Sequence, residues 1–468
     1  MGHGAADDPA GGRFEPYLSK IAQNVLRNPI RKVVLKIAEH PGCLQLAGGR
    51  PPKSVFPEAV HSWGDENYMN YGSTFGQGSP ELKAWARSFV EQFHAPPGGM
   101  ENRDVIITSG NTDGITKAVM LLSDPGDVVL SDDVTYPGIT AAALPLGRRV
   151  VGVGTDEHGM IPERLEAVLQ GLDAGVAPRI LYLIPHGQNP TGSTLTESRK
   201  DSLYAIARKH SLTILEDDPY IFVQLAPKCF STDVVVEDMP GIRDVPKSFL
   251  ARDTDGRVVR LDTVSKIVAP GYRLGWVTGS SSVVAKWAIL GEVFTWSVSG
   301  IQQKYFLDLV RQWGDEGFHQ HLQRLQYTYA RRVGFLKAAC ERHLDGLCRW
   351  NAPEHGMFLW LELLSCRDTE EICDELIASY GVAMVPGASF RVPEGAGSSG
   401  SSFFRVSFSL LDEETADKAM LKVKQFLLAR ASGSDSSHAE GIKRQLPDGN
   451  DATHGPASKL PRRVTCVS

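Results

Sequence analysis

Short runs of apolar, largely β-branched residues alternate along this chain with longer amphipathic stretches, and each run is closed by turn-forming residues. Residues 105–108, 128–130, 180–184, 212–215, 258–261 and 274–278 are too brief for helices and apolar enough for burial on both faces, so they are predicted as strands. Between them, residues 80–93 and 196–210 carry helical patterns, the second opening from Thr194 or Thr196 as the capping residue. Parallel strands need long crossovers, usually helices, so this alternation predicts βαβ units around a mostly parallel sheet, an α/β class.

The pattern changes near the end. Residues 357–363 and 403–408 read as strands, and residues 412–428 follow with Ala416, Ala419, Met420, Val423 and Leu427 at helical spacing behind the cap candidate Asp412. A second, smaller α+β domain is expected, in keeping with 468 residues, because single cores stop growing at roughly 250–300. The expected division is an N-terminal arm over 1–30, a segment over 31–60 packing with the small domain, a large domain over 61–325, a small domain over 326–430, and a polar tail over 431–468 expected to be disordered. Residues 394–401, rich in Gly and Ser, read as a mobile surface loop.

Charge and composition exclude several classes of partner. A formal net charge of -6 offers no basic field for nucleic acid, and no apolar run reaches the length of about 18 residues that a spanning helix needs. The 7 cysteines are odd in number and scattered, without zinc-type spacing, so no metal site is expected and a reducing compartment is. The acidic, Gly-rich start resembles neither a secretory signal nor a presequence, and Cys466 stands one place too late for prenylation. The expectation is a soluble, unanchored, cytoplasmic protein acting on small molecules, with mitochondrial import left open.

Chemistry-bearing residues cluster after the predicted strands. Pro185 to Gly192 reads PHGQNPTG, Leu215 to Tyr220 reads LEDDPY, and Arg260 to Lys266 reads RLDTVSK with GYRLG at Gly271 to Gly275. In open α/β sheets the loops beyond the carboxyl ends of strands bind ligands. Taken singly, each run has a plain alternative: a structural turn for the first, a helix cap or cation ligand for Asp217, an ordinary surface lysine for Lys266.

In their order and spacing these runs resemble the class I/II aminotransferases, pyridoxal 5'-phosphate (PLP) enzymes of fold type I. The family's N-P-T-G falls on Asn189 to Gly192, its D-x-x-Y on Asp217 to Tyr220, its S-x-S-K on Thr263 to Lys266 with Arg273 following, and its late R-x-S-F on Arg405 to Phe408. The resemblance runs from about residue 31 to residue 428. Within the class it is most similar to the kynurenine/α-aminoadipate and fungal aromatic amino acid aminotransferases. LAGGRP at Leu46 to Pro51, NYGSTFG at Asn70 to Gly76, TSGNT at Thr108 to Thr112, WGDEGF at Trp313 to Phe318 and HGMFLW at His355 to Trp360 support it.

The resemblance implies a three-layer α/β large domain with a mostly parallel sheet, a smaller α+β domain, and PLP as cofactor. Lys266 would carry PLP as a Schiff base and then shuttle the substrate Cα proton, Asp217 would face the pyridine nitrogen, and Asn189 and Tyr220 would reach the phenolic oxygen. Tyr136 would stack on the ring, although as an aromatic it could equally fill space. Ser109, Gly110, Asn111 and Thr112 at a helix start, with Thr263, Ser265 and Arg273, would hold the phosphate. Arg405 would clamp the substrate carboxylate with its planar fork, Arg31 and Gly49 would belong to a mobile segment over the substrate, and Tyr71 would reach a neighbouring active site across a homodimer. The implied activity is transfer of an amino group from kynurenine, 2-aminoadipate or an aromatic amino acid to a 2-oxo acid such as 2-oxoglutarate by a ping-pong cycle. Other PLP chemistry, β-elimination or decarboxylation, and a non-catalytic PLP-fold regulator are the alternatives, the latter disfavoured because the residues before Arg31 are too few and too acidic for a DNA-binding module. Residues 228–255 look like an insertion, and His186 and Gln188 depart from the residues several relatives carry there.

Overall fold

The computed structural model describes residues 76–173, 175–225, 235–394 and 400–433, together with Val33, Lys36, Ile37, Glu39, His40, residues 42–48 and Tyr68. Arg31, Gly49, Tyr71, the arm over 1–30, residues 226–234, which include the start of the expected insertion, and the tail beyond 433 lie outside the described residues.

The apolar runs assemble a seven-stranded sheet. Its strands are β1 (Arg103–Thr108), β2 (Val128–Asp132), β3 (Arg149–Val153), β4 (Pro178–Leu183), β5 (Thr213–Asp217), β6 (Val258–Thr263) and β7 (Gly275–Ser280), in the spatial order β1-β7-β6-β5-β4-β2-β3. The run from β6 to β3 is parallel throughout, while β7 lies antiparallel to both β1 and β6. Every residue of β6 and of β2 is buried, so each opens on an apolar run, and the polar residues that follow, Arg260, Asp262 and Thr263 in β6 and Ser131 and Asp132 in β2, are buried as well.

Helices cover both faces of the sheet: α1 (Pro80–Phe93), α2 (Asn111–Leu122), α3 (Gly138–Ala143), α4 (Pro162–Gly171), α5 (Glu197–Lys209), α6 (Ser281–Phe294) and α7 (Gly300–His343). The α1 start carries Pro80 behind Ser79, whose hydroxyl accepts from Leu82 N at 3.2 Å. Thr196, not Thr194, caps α5, accepting from Arg199 N at 3.3 Å, whereas Thr194 Oγ1 is taken by Gly187 N. Backbone dihedrals leave the helical region at Gly314, so α7 is two helices in sequence, running from α1 at one end to the C-terminal helix at the other.

A second sheet, order β8-β9-β11-β10, is antiparallel and comprises β8 (Cys348–Trp350), β9 (Phe358–Leu363), β10 (Val385–Pro386) and β11 (Phe403–Ser407). With it go α8 (Glu370–Tyr380) and α9 (Glu413–Gly433). Asp412 Oδ1 accepts from Thr415 N at 2.7 Å, and Ala416, Ala419, Met420, Val423 and Leu427 of α9 are buried where that helix packs along α7. Covering such side chains is worth about 1.5–3 kcal/mol for each large one. Leu44–Gln45 adds a short parallel pairing with Val382–Ala383. Glu394, at the head of the expected mobile loop, has its carbonyl accepting from Gly152 N and its carboxylate meeting Arg149; residues 395–399 of that loop lie outside the described residues. Among the described residues, no helix is long and apolar enough to cross a membrane, and no group of three or more His, Cys, Asp and Glu side chains could hold a metal ion.

Candidate active site

The parallel strands deliver their carboxyl ends to one edge, and the side chains singled out by sequence gather there. Strand β5 ends on Glu216 and Asp217, Asp218 follows directly, and the alternation sends these acids to opposite faces. Asp217 turns toward α2: its Oδ1 accepts from Asn111 Nδ2 at 2.5 Å and its Oδ2 from Tyr182 Oη at 2.6 Å. Burial pushes this carboxyl up to about 6, against the pull of Tyr182, Asn111 and the Lys266 charge.

Glu216 and Asp218 face the other way. Glu216 accepts from Phe249 N (2.7 Å) and Leu250 N (3.1 Å), and Arg260 Nη1 lies 3.0 Å from it. Asp218 Oδ2 meets His186 Nδ1 at 2.8 Å and Arg260 Nη1 at 3.2 Å. Burial alone would raise Asp218, but His186 and Arg260 outweigh it and hold the group below the usual carboxylate range. His186, a departure from the family pattern, therefore belongs to a dry ionic cluster behind Asp217.

Lys266 follows β6 and is partly buried. Lost hydration, then the Arg405 and Arg273 charges, pull its amine from 10.5 down to about 8, and only Asp217 opposes them. Thr263 Oγ1 lies 2.9 Å from Ser265 Oγ, and Ser265 N donates to Thr263 Oγ1 at 3.2 Å, so the two hydroxyls share one turn before Lys266. Arg273, exposed, reaches across to Ser109 O at 3.2 Å from a left-handed backbone position, φ +46°. It thereby borders the start of α2, where Gly110, at φ +90°, is the cap and the first-turn amides of Asn111 and Thr112 have no partner within the helix. A side chain at Gly110 would stand 3.2 Å from Arg273 Nη2.

The loop from Pro185 to Gly192 brings Asn189 to the centre. Asn189 Oδ1 accepts from Arg405 Nη1 at 2.8 Å, joining the two sheets through one hydrogen bond. Tyr220 is buried with its ring edge-on to Phe358 at 6.0 Å, and burial raises its hydroxyl well above the tyrosine norm. Tyr136, part-buried, is also raised by burial, with a hydrogen bond from the Thr112 side chain working against it.

Arg405 projects from β11, opposite Trp360 of β9, and is only 2% exposed. Its partners are neutral: Asn189 Oδ1, Ala47 O at 2.7 Å, and the rings of Phe358 and Phe390, whose centroids lie 4.2 and 5.0 Å from the guanidinium carbon. Burial lowers its pKa to about 10. A guanidinium stripped of water without a carboxylate beside it is poised for an anion brought from outside. Within the segment 31–60, expected to pack with the small domain, Leu46 and Gly48 meet the end of β11 and the residues after it: Ser407 N donates to Leu46 O at 2.7 Å, and Ser409 Oγ to Gly48 O at 3.4 Å.

The family model for aminotransferase class I and II matches residues 42–423. The chain belongs to the class I and II aminotransferases. The mouse (Mus musculus) kynurenine/alpha-aminoadipate aminotransferase, described as mitochondrial, is 34% identical over 426 residues, covering 86% of this chain and 95% of its own. An aromatic amino acid aminotransferase of Schizosaccharomyces pombe is 35% identical over 424 residues, covering 81% of this chain and 89% of its own. Among solved structures, the kynurenine aminotransferase of Pyrococcus horikoshii superposes with a TM-score of 0.78 at 25% identity, covering 90% of this chain and 98% of the other.

This aminotransferase is accordingly a fold type I enzyme whose cofactor is PLP. The residues fit the group: a buried carboxylate served by neutral donors suits a protonated ring nitrogen, a depressed amine suits its aldehyde, and unpartnered amides beside Arg273 suit its phosphate. Tyr182, which sequence reasoning passed over as a core residue, joins the site through its bond to Asp217. Only its hydroxyl among the aliphatic residues Ile180, Leu181 and Leu183 marks it.

Proposed function

We propose that this aminotransferase moves the amino group of kynurenine, 2-aminoadipate or an aromatic amino acid to a 2-oxo acid such as 2-oxoglutarate, in a ping-pong cycle, within a cytoplasmic homodimer to which Tyr71 contributes across the subunit boundary. The observation that carries the reading is the buried Arg405 guanidinium, ringed by neutral partners in the same cleft as Asp217 and Lys266. The names of the mouse and fission-yeast relatives, and the aromatic rings of Phe358 and Phe390 around that guanidinium, support the substrate class.

Bound PLP supplies an electrophilic aldehyde and an electron-withdrawing ring. Asp217 would keep the ring nitrogen protonated, and Tyr182 and Asn111 hold its carboxylate in place. Lys266 Nζ would hold the cofactor and, once freed, would shuttle the substrate Cα proton. Ser109, Gly110, Asn111, Thr112, Thr263, Ser265 and Arg273 would hold the phosphate; Tyr136 would cover the ring; Asn189 and Tyr220 would bind its phenolic oxygen. Arg405 fixes the α-carboxylate common to donor and acceptor, and Arg31 and Gly49 close over it.

Borohydride trapping of the PLP-loaded protein, followed by peptide mapping, tests the first claim, with the label expected on Lys266. A donor panel of kynurenine, 2-aminoadipate, tyrosine, phenylalanine and leucine with 2-oxoglutarate tests the second. Ammonia and pyruvate released without need of an oxo acid would instead establish β-elimination.

A further inference from the structure

Between the two sheets, the backbone around Asn189 is gripped by two side-chain amides that the chemistry above does not use. Gln188, 2% exposed, spends all its hydrogen-bonding groups. Its Oε1 accepts from Thr191 N at 2.9 Å and from Thr191 Oγ1 at 2.8 Å, while Nε2 donates to Asp132 Oδ2 at 2.9 Å and Val134 O at 2.8 Å. Asn351 approaches the same residue from the small sheet, its Nδ2 donating to Thr191 O at 2.5 Å and its Oδ1 accepting from Trp360 N at 2.9 Å. Trp360 is in register with Arg405, and Arg405 returns to Asn189. The contacts therefore close a ring: Asn189, Pro190, Thr191, Asn351, Trp360, Arg405, Asn189.

The grip leaves no spare room. A side chain on Gly192, at φ +70°, would stand 2.7 Å from Phe358 O and 2.9 Å from Asn351 Nδ2.

We propose that Gln188 and Asn351 are positioning residues which hold Thr191 from opposite sides and so fix Asn189 against Arg405, setting the guanidinium fork before substrate arrives. Gln188 anchors the ring to β2 of the large sheet; Asn351 anchors it to β9 of the small one. Orientation of a planar fork requires more than one fixed point, and Arg405 has only Asn189 Oδ1 and Ala47 O as oxygen partners among the described residues. Slackening either amide lets Asn189 move, which withdraws one of those points. The inference rests on the reading of Arg405 as the carboxylate clamp.

The test uses the PLP-loaded protein and the near-isosteric variants Asn351→Asp and Gln188→Glu. The first sets a carboxylate against Thr191 O; the second sets one against Asp132. Each is expected to raise KM for the amino donor and for 2-oxoglutarate together by about fivefold, the worth of one hydrogen bond, with kcat changed less. Binding of 3-phenylpropanoate, an unreactive carboxylate followed by titration, weakens by the same factor, while the amount of cofactor bound is unchanged. In an Arg405→Lys background neither variant raises KM further, a coupling that general loosening of the fold would not produce.

Unchanged KM in both variants, or full multiplication of the effects with Arg405→Lys, overturns the inference. If one variant fails to accumulate as folded protein, the other decides alone; if both fail, Gln188→Asn and Asn351→Ser carry the same expectation. Should Arg405→Lys itself leave KM and 3-phenylpropanoate binding unaltered, the clamp reading falls. Should Arg405→Lys weaken both while the amide variants do not, only the positioning role falls.

Discussion

Replacing Arg405 by Lys preserves a cation while removing the fork. In the native protein the guanidinium is buried, held by Asn189 and Ala47 and covered by Phe358 and Phe390, so its remaining N–H edge has a fixed direction. An ammonium offers three donors on a flexible stem and cannot satisfy both oxygens and a planar carboxylate together. Losing one charge-assisted bond costs about 1.5–3 kcal/mol, which corresponds to a rise in KM of roughly 10- to 150-fold. Donor and 2-oxo acid should suffer alike, since both present an α-carboxylate. The loss should deepen with rising pH, because burial already draws Arg405 down to about 10 and a lysine in that pocket would shed its proton sooner. Steady-state kinetics of Arg405→Lys with three donors at pH 7 and 9, with cofactor absorbance as the control for loading, measures this. A KM within twofold of the native value for every donor and acceptor would refute the clamp.

Asp217→Asn should abolish transamination yet stabilise the apoprotein at pH 8. The native carboxyl titrates near 6 instead of 3.8, so its contribution is fully present below about 4 and is lost as pH rises through 6. A neutral amide therefore gains up to about 3 kcal/mol at pH 8 and nothing at pH 4; urea unfolding at both values tests it, and equal destabilisation at both would contradict it. Capture of PLP by the apoprotein should accelerate with pH around a midpoint near 8, because the reactive form is the neutral Lys266 amine; a rate that climbs only above 10 would count against the depressed amine. Gly192→Ala should cost about 1–3 kcal/mol of stability from its left-handed backbone alone, read as a lowered Tm, and an unchanged Tm would show that the loop yields. Tyr182→Phe should leave the protein folded but lower kcat, with binding of 3-phenylpropanoate unaffected.

Much of the large sheet was legible because its central strands are buried on both sides, and such strands announce themselves as apolar runs whatever follows them. Strand β3 was not, for Arg149 opens it directly after Arg148 and masks its apolar remainder. The long helix α7 escaped because its buried residues serve two partners in turn, α1 and then α9, so no single stripe runs its length. Among site residues, Lys266, Asp217, Asn189 and Arg405 could be singled out because they stand in short runs with recognisable spacing. Tyr182 and Asn351 could not: the first looks like core, the second like loop, and each acquires its part only from a neighbour far along the chain. The carbonyl of Ala47 carries no sequence signal at all.

The alternation at the end of β5 limits how this chain can vary. Gaining or losing one residue within Thr213–Asp217 would rotate the acids by half a pleat, presenting Glu216 or Asp218 to the cleft and leaving Arg260 only Asp262 of its three counter-charges on the far side. Length changes are thus barred from that strand, while the loops beyond it remain open to them. New substrate preferences can accordingly arise around Arg405 and the late strands without disturbing the acid on which the chemistry depends.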